Sequence, residues 1–372
     1  MTITQCYNKV AAFARSYVRN FVTIPITEPK TYCTSIIQPP QAGGAGCFQL
    51  FKFLPISNPV CYTLAMRKIT YSFLSHIPVF ILLSLAVLMC ASCENAKGRP
   101  TYKIGYMNCN NTEETLKRFL PLTRYLSDKV GVNFVAVPVD THEFETRFKS
   151  GEFAITHTNS LLYVVLKERY GVNLIATEKR GQFGSRTAGS LIAKKGSGIN
   201  KISDLKGKRL AFGPMLAPTG YLAEYDLMLS GGINPESDLA HYTIPTGSHK
   251  HEKVIYGVLF GQYDAAAAPV LDLEVMTRDG KISPDDFVVI AQGPLIPYCT
   301  FAAPKGTDPE LTKKVRDALM ALKPTDTAEV DGERVKVMKS SWIDGYEILP
   351  DSEYDGIRNM AKRVNMPPYQ KF

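Results

Sequence analysis

Residues 101–139, TYKIGYMNCNNTEETLKRFLPLTRYLSDKVGVNFVAVPV, decide the fold. Thr101 to Tyr106 is a short strand. Glu113 to Val130 carries Leu116, Phe119, Leu120, Leu126 and Val130 at helical spacing, Gly131 ends it, and Asn133 to Val139 is the next strand. The alternation continues with a helix over Glu143–Ser150, a strand over Phe153–Thr156, a helix over Ser160–Arg169 and a strand over Asn173–Thr177. This order predicts an α/β lobe whose sheet is mostly parallel and has helices on both faces.

A second unit follows the extended stretch Gly189 to Ala193. Asp204–Gly213 (DLKGKRLAFG) reads as a helical turn, a glycine turn and a strand, with a helix starting near Thr219. His241–Ile244 as a strand, about Lys250–Gly261 as a helix and Asp264–Ala268 as a strand complete it. Phe287–Ala291 and Tyr298–Ala303 run extended, and helices over Pro309–Leu322 and Asp351–Val364 return to pack on the first lobe. The expected fold is two α/β lobes with a central ligand cleft and two crossings. Lobe 1 comprises 101–188 plus 299–372, lobe 2 comprises 189–298, and closure would hinge at Gly189–Ala193 and Tyr298–Ala303.

Upstream, Met66–Cys93 (MRKITYSFLSHIPVFILLSLAVLMCASC) has the order of an export signal. Arg67 and Lys68 form the basic region, Ile77–Leu88 the apolar region, and Ala91-Ser92 the small residues before a cut. Cys93 follows at once, so 66–92 is expected to be a lipoprotein signal peptide, Cys93 a lipidated first residue and 93–100 a linker. A transmembrane anchor is the other reading, but Ser84, His76 and the prolines shorten the apolar run. Residues 1–65 lack apolar periodicity and are expected to be a disordered upstream extension, with Met66 the true start.

This division reshapes the charge. The whole chain has 43 Lys and Arg against 35 Asp and Glu, but 1–92 hold seven of the former and one of the latter, leaving a net of +2 downstream. A nucleic-acid reading loses its support. Of eight cysteines, only Cys109 and Cys299 follow Cys93. They either pair outside the cytoplasm or are two separate thiols.

Phe212–Tyr221 (FGPMLAPTGY) is a strand, a proline-bearing turn and Thr-Gly at a helix start. Free N–H groups there would suit an anion, with the Thr219 hydroxyl as a donor and Gly220 permitting close approach. Thr219 capping its own helix is the alternative. Thr246–Glu252 (TGSHKHE) offers Ser248 and two histidines to the same cleft, yet His142, His157 and His241 are scattered and no metal is expected. No Gly-X-Ser-X-Gly elbow or acid–base pair marks a hydrolase. Asn108, Asn110, Asn111 and Asn159, at strand-to-helix loops, either supply donors to the cleft or cap helices.

Thr-Gly-Tyr-Leu at 219–222, Gly-Ser-His at 247–249, His-Glu at 251–252, Gly-Gln-Tyr-Asp-Ala-Ala-Ala at 261–267 and Gly-Pro-Leu-Ile-Pro at 293–297, in this order, resemble the periplasmic phosphate/phosphite/phosphonate-binding proteins that feed ABC transporters. Arg118–Leu126 is similar to that family's first helix, and the likeness runs from about Tyr102 to Val364. It implies the type II periplasmic-binding-protein fold closing on its ligand. In the family, a Ser-Thr-Ser-Gly-Tyr-like turn and the histidine of a Ser-His-Glu-like turn hold the phosphonate oxygens. Here the turn is Ala217-Pro218-Thr219-Gly220-Tyr221, two hydroxyls short, and His249 or His251 is the equivalent histidine. Positions that serve the organic end carry Thr141, Thr158, Leu271 and Cys299, with Asp272 beside them, so 2-aminoethylphosphonate is not the expected ligand.

The expected protein is a monomeric, membrane-anchored extracytoplasmic lipoprotein, without cofactor or catalysis, that carries a small oxyanion or polar metabolite to an inner-membrane ABC permease. The expected ligand-binding residues are Thr219, Gly220, Tyr221, Ser248, His249, His251, Thr158, Asn159, Thr141 and Asp272. The rivals are a sensor of the same fold that signals to a membrane partner, and an enzyme built on that fold.

Overall fold

Alternating short strands and amphipathic helices assemble two sheets. The computed structural model describes residues 98–108, 111–245 and 251–371, all within the unit Cys90–Phe372. The signal segment, Cys93, Cys109, Asn110, Ser248 and His249 lie outside the described residues.

The helix Thr112–Val130 forms as its ends dictate. Asn111 accepts from the Glu114 N–H at 2.8 Å, Glu113 and Glu114 sit at the positive end of the helix dipole, and Gly131 closes the helix at φ 81°. Its buried stripe is Thr115, Arg118, Phe119, Leu122, Tyr125, Leu126 and Val130, while Leu116 and Leu120 are only half-buried.

In chain order the strands are β1 (Thr101–Met107), β2 (Asn133–Val139), β3 (Ile155–Thr158), β4 (Asn173–Lys179), β5 (Arg186–Thr187), β6 (Gly189–Lys194), β7 (Arg209–Ala211) and β8 (His241–Thr243). They continue with β9 (Ala265–Pro269), β10 (Phe287–Gln292), β11 (Ile296–Pro297), β12 (Thr300–Ala303), β13 (Thr327–Val330), β14 (Glu333–Lys336) and β15 (Gly345–Glu347). One sheet has the order β15-β4-β12-β3-β1-β2 and the other β10-β6-β9-β7-β8. The parallel expectation holds for β1 with β2 and β3, and for β7 with β8 and β9. It fails for β12 and β6, which insert antiparallel. Each enters its sheet from the crossing, at the end where the parallel strands finish, and so must run the opposite way.

The crossings themselves are shorter than expected. Gly189–Ala193 and Thr300–Ala303 are strands within the two sheets. The chain passes between the sheets at β5 and β11, which pair with each other, and the Tyr298 N–H donates to the Ser185 carbonyl at 2.9 Å beside them.

The C-terminal segment also departs from expectation. A 3-10 turn at Asp351–Tyr354 leads into the helix Asp355–Arg363, which packs on the helix Ser160–Tyr170 of the first sheet's layer. It reaches the other side as well. Arg363 makes two bonds to Asp226, at 2.6 and 2.8 Å, on the helix Ala223–Ser230 beside the second sheet.

Candidate functional site

Between the sheets lies a cleft of about 1420 Å³. Its first wall is made by residues just past strand ends: Asn108 after β1, Thr141 after β2, Asn159 after β3 and Arg180 after β4. Its second wall is the loop Pro214–Thr219, with His251 and Asp272. The carboxyl ends of parallel strands are where α/β sheets expose helix N-termini and loop donors, which explains the location.

The residues expected to bind ligand divide sharply. Thr141, Asn159, Thr219, His251 and Asp272 line the cleft. Tyr221 does not: its ring packs against Phe212 at 4.8 Å and Tyr225 at 5.8 Å in the core of the second lobe. Its ring fits that cluster better than the cleft, and burial, with the charges of Tyr242 and Glu236, raises the pKa of its phenol to about 12. Thr158 is fully buried in the ladder between β3 and β12, opposite Thr300, behind the cleft wall.

Gly220 requires a correction too. Its N–H was expected to point outward, but Glu224, one turn along, folds back and receives it at 2.8 Å on both carboxylate oxygens. The protein's own carboxyl group therefore occupies that donor. Gly220 (φ 88°) makes room instead for His251, since a Cβ at Gly220 or at Gly213 would run into the imidazole. Burial holds His251 below its ordinary pKa, against the pull of Asp272, so the ring is neutral.

The asparagines resolve toward capping. Asn111 caps the helix Thr112–Val130, and Asn159 caps Ser160–Tyr170 by accepting from the Leu162 N–H at 2.8 Å. The Asn159 amide donates to the Leu216 carbonyl at 2.9 Å, tying the two walls together, and Asn108 donates to Asp140 at 2.7 Å.

Arg180 was not anticipated from the sequence. It projects into the cleft, donates to the Tyr298 hydroxyl at 3.0 Å and lies 5.2 Å over that ring. Burial opposes its charge, but Tyr298, Glu178, Cys299 and Asp272 outweigh burial and hold its pKa above the usual arginine value. Behind it sits a buried network. His157 Nε2 is 2.9 Å from Glu178, Arg118 lies 3.6 Å from the other Glu178 oxygen, and Tyr106, Phe119 and Phe301 surround the imidazole. Burial works against the Glu178 charge, yet His157, Arg118 and Arg180 keep its pKa below the ordinary carboxylate range. Lysine and arginine scattered at strand ends carry no periodic signal, so only the β4 end in three dimensions singles out Arg180.

Among the described residues, no group of three or more His, Cys, Asp or Glu is arranged to hold a metal, and no helix is long and apolar enough to cross a membrane.

A family model described as ABC transporter, phosphonate, periplasmic substrate-binding protein matches residues 104–354. PhnD1 from Prochlorococcus marinus, solved with methylphosphonate, superposes with a TM-score of 0.60 at 16% identity, covering 71% of this chain and 98% of that one. A binding-protein component of an ABC phosphonate transporter from Pseudomonas aeruginosa gives 0.57 at 18% identity, over 70% and 85%. The tetrathionate sensor histidine kinase TtrS of Salmonella typhimurium is 26% identical over 234 residues, 59% of this chain and 39% of the kinase. The chain thus spans about two fifths of the length of that curated relative.

Proposed function

Because the chain belongs to the periplasmic phosphonate substrate-binding protein family of ABC transporters, matched over residues 104–354, we propose that it is a lipid-anchored receptor for a small oxyanion of the phosphonate, phosphite or phosphate type. Lipid on Cys93 holds the monomer near an inner-membrane permease, and the lobes close on the ligand and deliver it unchanged. The observation that carries the oxyanion reading is Arg180. A guanidinium in a walled cleft, with donors beyond its one bond to Tyr298, matches the geometry of a tetrahedral anion. The pairing of β5 with β11 provides the short double crossing about which two lobes can rotate.

Thermal-shift titration of the purified chain with phosphate, phosphite, methylphosphonate and 2-aminoethylphosphonate tests this, alongside native mass spectrometry for a copurified ligand. A ligand at 100 times its Kd stabilises by about 2.7 kcal/mol. Stabilisation by one of the first three supports the assignment, and no shift with any of the four removes it. Mass spectrometry of the mature N-terminus tests lipidation, since an unmodified Cys93 or a chain still carrying 66–92 overturns it.

A second reading, a sensor that presents its closed lobes to a membrane partner, is favoured by the similarity to part of a sensor kinase. Ligand uptake in a deletion strain separates the two: uptake falls if the protein serves a permease and is unchanged if it only signals.

A further inference from the structure

Three polar side chains in one region of the cleft have hydrogen-bonding capacity that the protein itself leaves unused. The Arg180 guanidinium donates once, to Tyr298, and its remaining N–H groups meet no acceptor among the described residues. Asp272, in the first turn of the helix Val270–Arg278, has neither a hydrogen bond nor an ion pair among the described residues. His251 Nδ1 is buried without a partner there. Arg180 and Asp272 are half-buried on facing walls of the one cleft, and His251 Nδ1 is buried against Gly213 and Gly220 beside them; polar groups in a cavity are rarely left so, and the arrangement points to a ligand that satisfies the first two together.

The combination is more selective than an arginine alone. A guanidinium accepts any oxyanion, but a carboxylate facing the same space repels one whose oxygens are all ionised or aprotic. It welcomes an oxyanion that still carries an O–H, because the carboxylate then accepts that proton in a charge-assisted bond. Phosphorus oxyanions keep such a proton near neutrality, since their second ionisation falls around pH 6 or above. Sulfate and sulfonates do not.

We propose that Arg180, Asp272 and His251 form a receptor for a hydrogen oxyanion: Arg180 takes the ionised oxygens, Asp272 accepts from the remaining O–H, and the His251 ring closes the third side. The proposal rests on the oxyanion reading above and narrows it to ligands that retain one acidic proton. The charged and titratable groups that face Asp272 are His251, Arg180 and Glu252. Burial, with Glu252, holds its pKa above the ordinary aspartate value, against the pull of His251 and Arg180. Specificity here means counting the ligand's proton.

Methylphosphonate monoanion and methanesulfonate have the same shape and charge and differ by one O–H. Calorimetric or thermal-shift titration of the full-length chain with both, from pH 6 to 9, is the test. Wild type should bind methylphosphonate and discriminate against methanesulfonate on the order of 10⁴-fold, as sites built around a ligand hydroxyl do. Affinity for methylphosphonate should fall about tenfold per pH unit once the ligand ionises fully, because one proton is then lost from the complex. Asp272→Asn, whose amide donates where the carboxylate accepted, should bind both anions comparably and lose the pH dependence. Equal binding of the two anions by wild type overturns the proposal and leaves the oxyanion reading standing, as does discrimination that survives in Asp272→Asn. No binding of phosphate, phosphite or methylphosphonate at any pH removes both.

Discussion

Glu224 offers the most direct physical test of how the second lobe is built. It is fully buried, bonded to the Gly220 N–H and packed where a Cβ on Gly189 would collide with it. Burial pushes its pKa from the ordinary 4.5 up to about 8, with the backbone N–H groups of Gly220, Glu224 and Ser190 pulling the other way. The folded protein therefore holds a proton that the unfolded chain releases between those two values. Stability from this group is fully present below the unfolded value and is lost as pH rises through the folded one. The slope is about 1.4 kcal/mol per pH unit, and the total across the window is roughly 5 kcal/mol. Glu224→Gln is neutral at every pH and keeps an acceptor for Gly220. The difference in unfolding free energy between wild type and variant should therefore vary with pH, because the other titrating groups cancel. Urea unfolding of both proteins at half-unit steps from pH 5 to 9 measures it, and Tm should diverge by ~3–6 °C per pH unit. Parallel profiles would refute a buried neutral carboxyl at this turn.

Glu178 should behave with the opposite sign. Its pKa is held low against burial, so its contribution is present above the unfolded carboxylate value and is lost on acidification; Glu178→Gln should cost about 3–5 kcal/mol in urea at pH 7 and flatten the acid limb. Gly220→Ala should lower both stability and ligand affinity by displacing His251. Gly232→Ala, at φ 80° with nothing within 4 Å of the added carbon, should show the backbone strain alone and keep wild-type affinity in the same titration. Arg363→Ala leaves Asp226 buried without its bidentate partner, and the expected cost is about 1–2 kcal/mol. Because this pair joins the C-terminal helix to the second lobe, small-angle scattering of the ligand-free variant should show a larger radius of gyration; an unchanged radius excludes a bracing role.

The fold was readable because its elements announce themselves locally. The stripe of Phe119, Leu126 and Val130 and the stop at Gly131 require only neighbours within a few turns, and the helix Thr112–Val130 appears where they place it. Asp331-Gly332, with φ 52° and 82°, is an equally local signal, an Asp-Gly turn that joins β13 to β14. The crossings were displaced for a different reason: β6 and β12 are as apolar as any interior strand, and only pairing partners reveal that they belong to the sheets. At the site, Thr219 and His251 were legible from turn chemistry. Arg180 was not, since its significance arises from Tyr298, about 120 residues away, and from Asp272 on the facing wall.

The same comparison bears on where the proposed anion site falls within the cleft. Ala217 and Pro218 offer no hydroxyls, Pro218 has no N–H, and Gly220 donates inward to Glu224, so the turn that would cradle an anion retains the Thr219 hydroxyl as its side-chain donor. A buried oxyanion without donors costs several kcal/mol, and a lobe depleted at one wall must be supplied from the other. Arg180 stands at that other wall, at the end of β4, with its charge sustained by Glu178 and Asp272. Moving from hydroxyl donors to a guanidinium also changes what the empty cleft must contain. Neutral hydroxyls need no counter-charge, whereas a half-buried cation does, and Asp272 supplies one from the facing wall. On the reading proposed here, that carboxylate is then the element that distinguishes a protonated ligand from an aprotic one. On that reading, selectivity follows from the charge balance that a guanidinium imposes where the turn lacks hydroxyls.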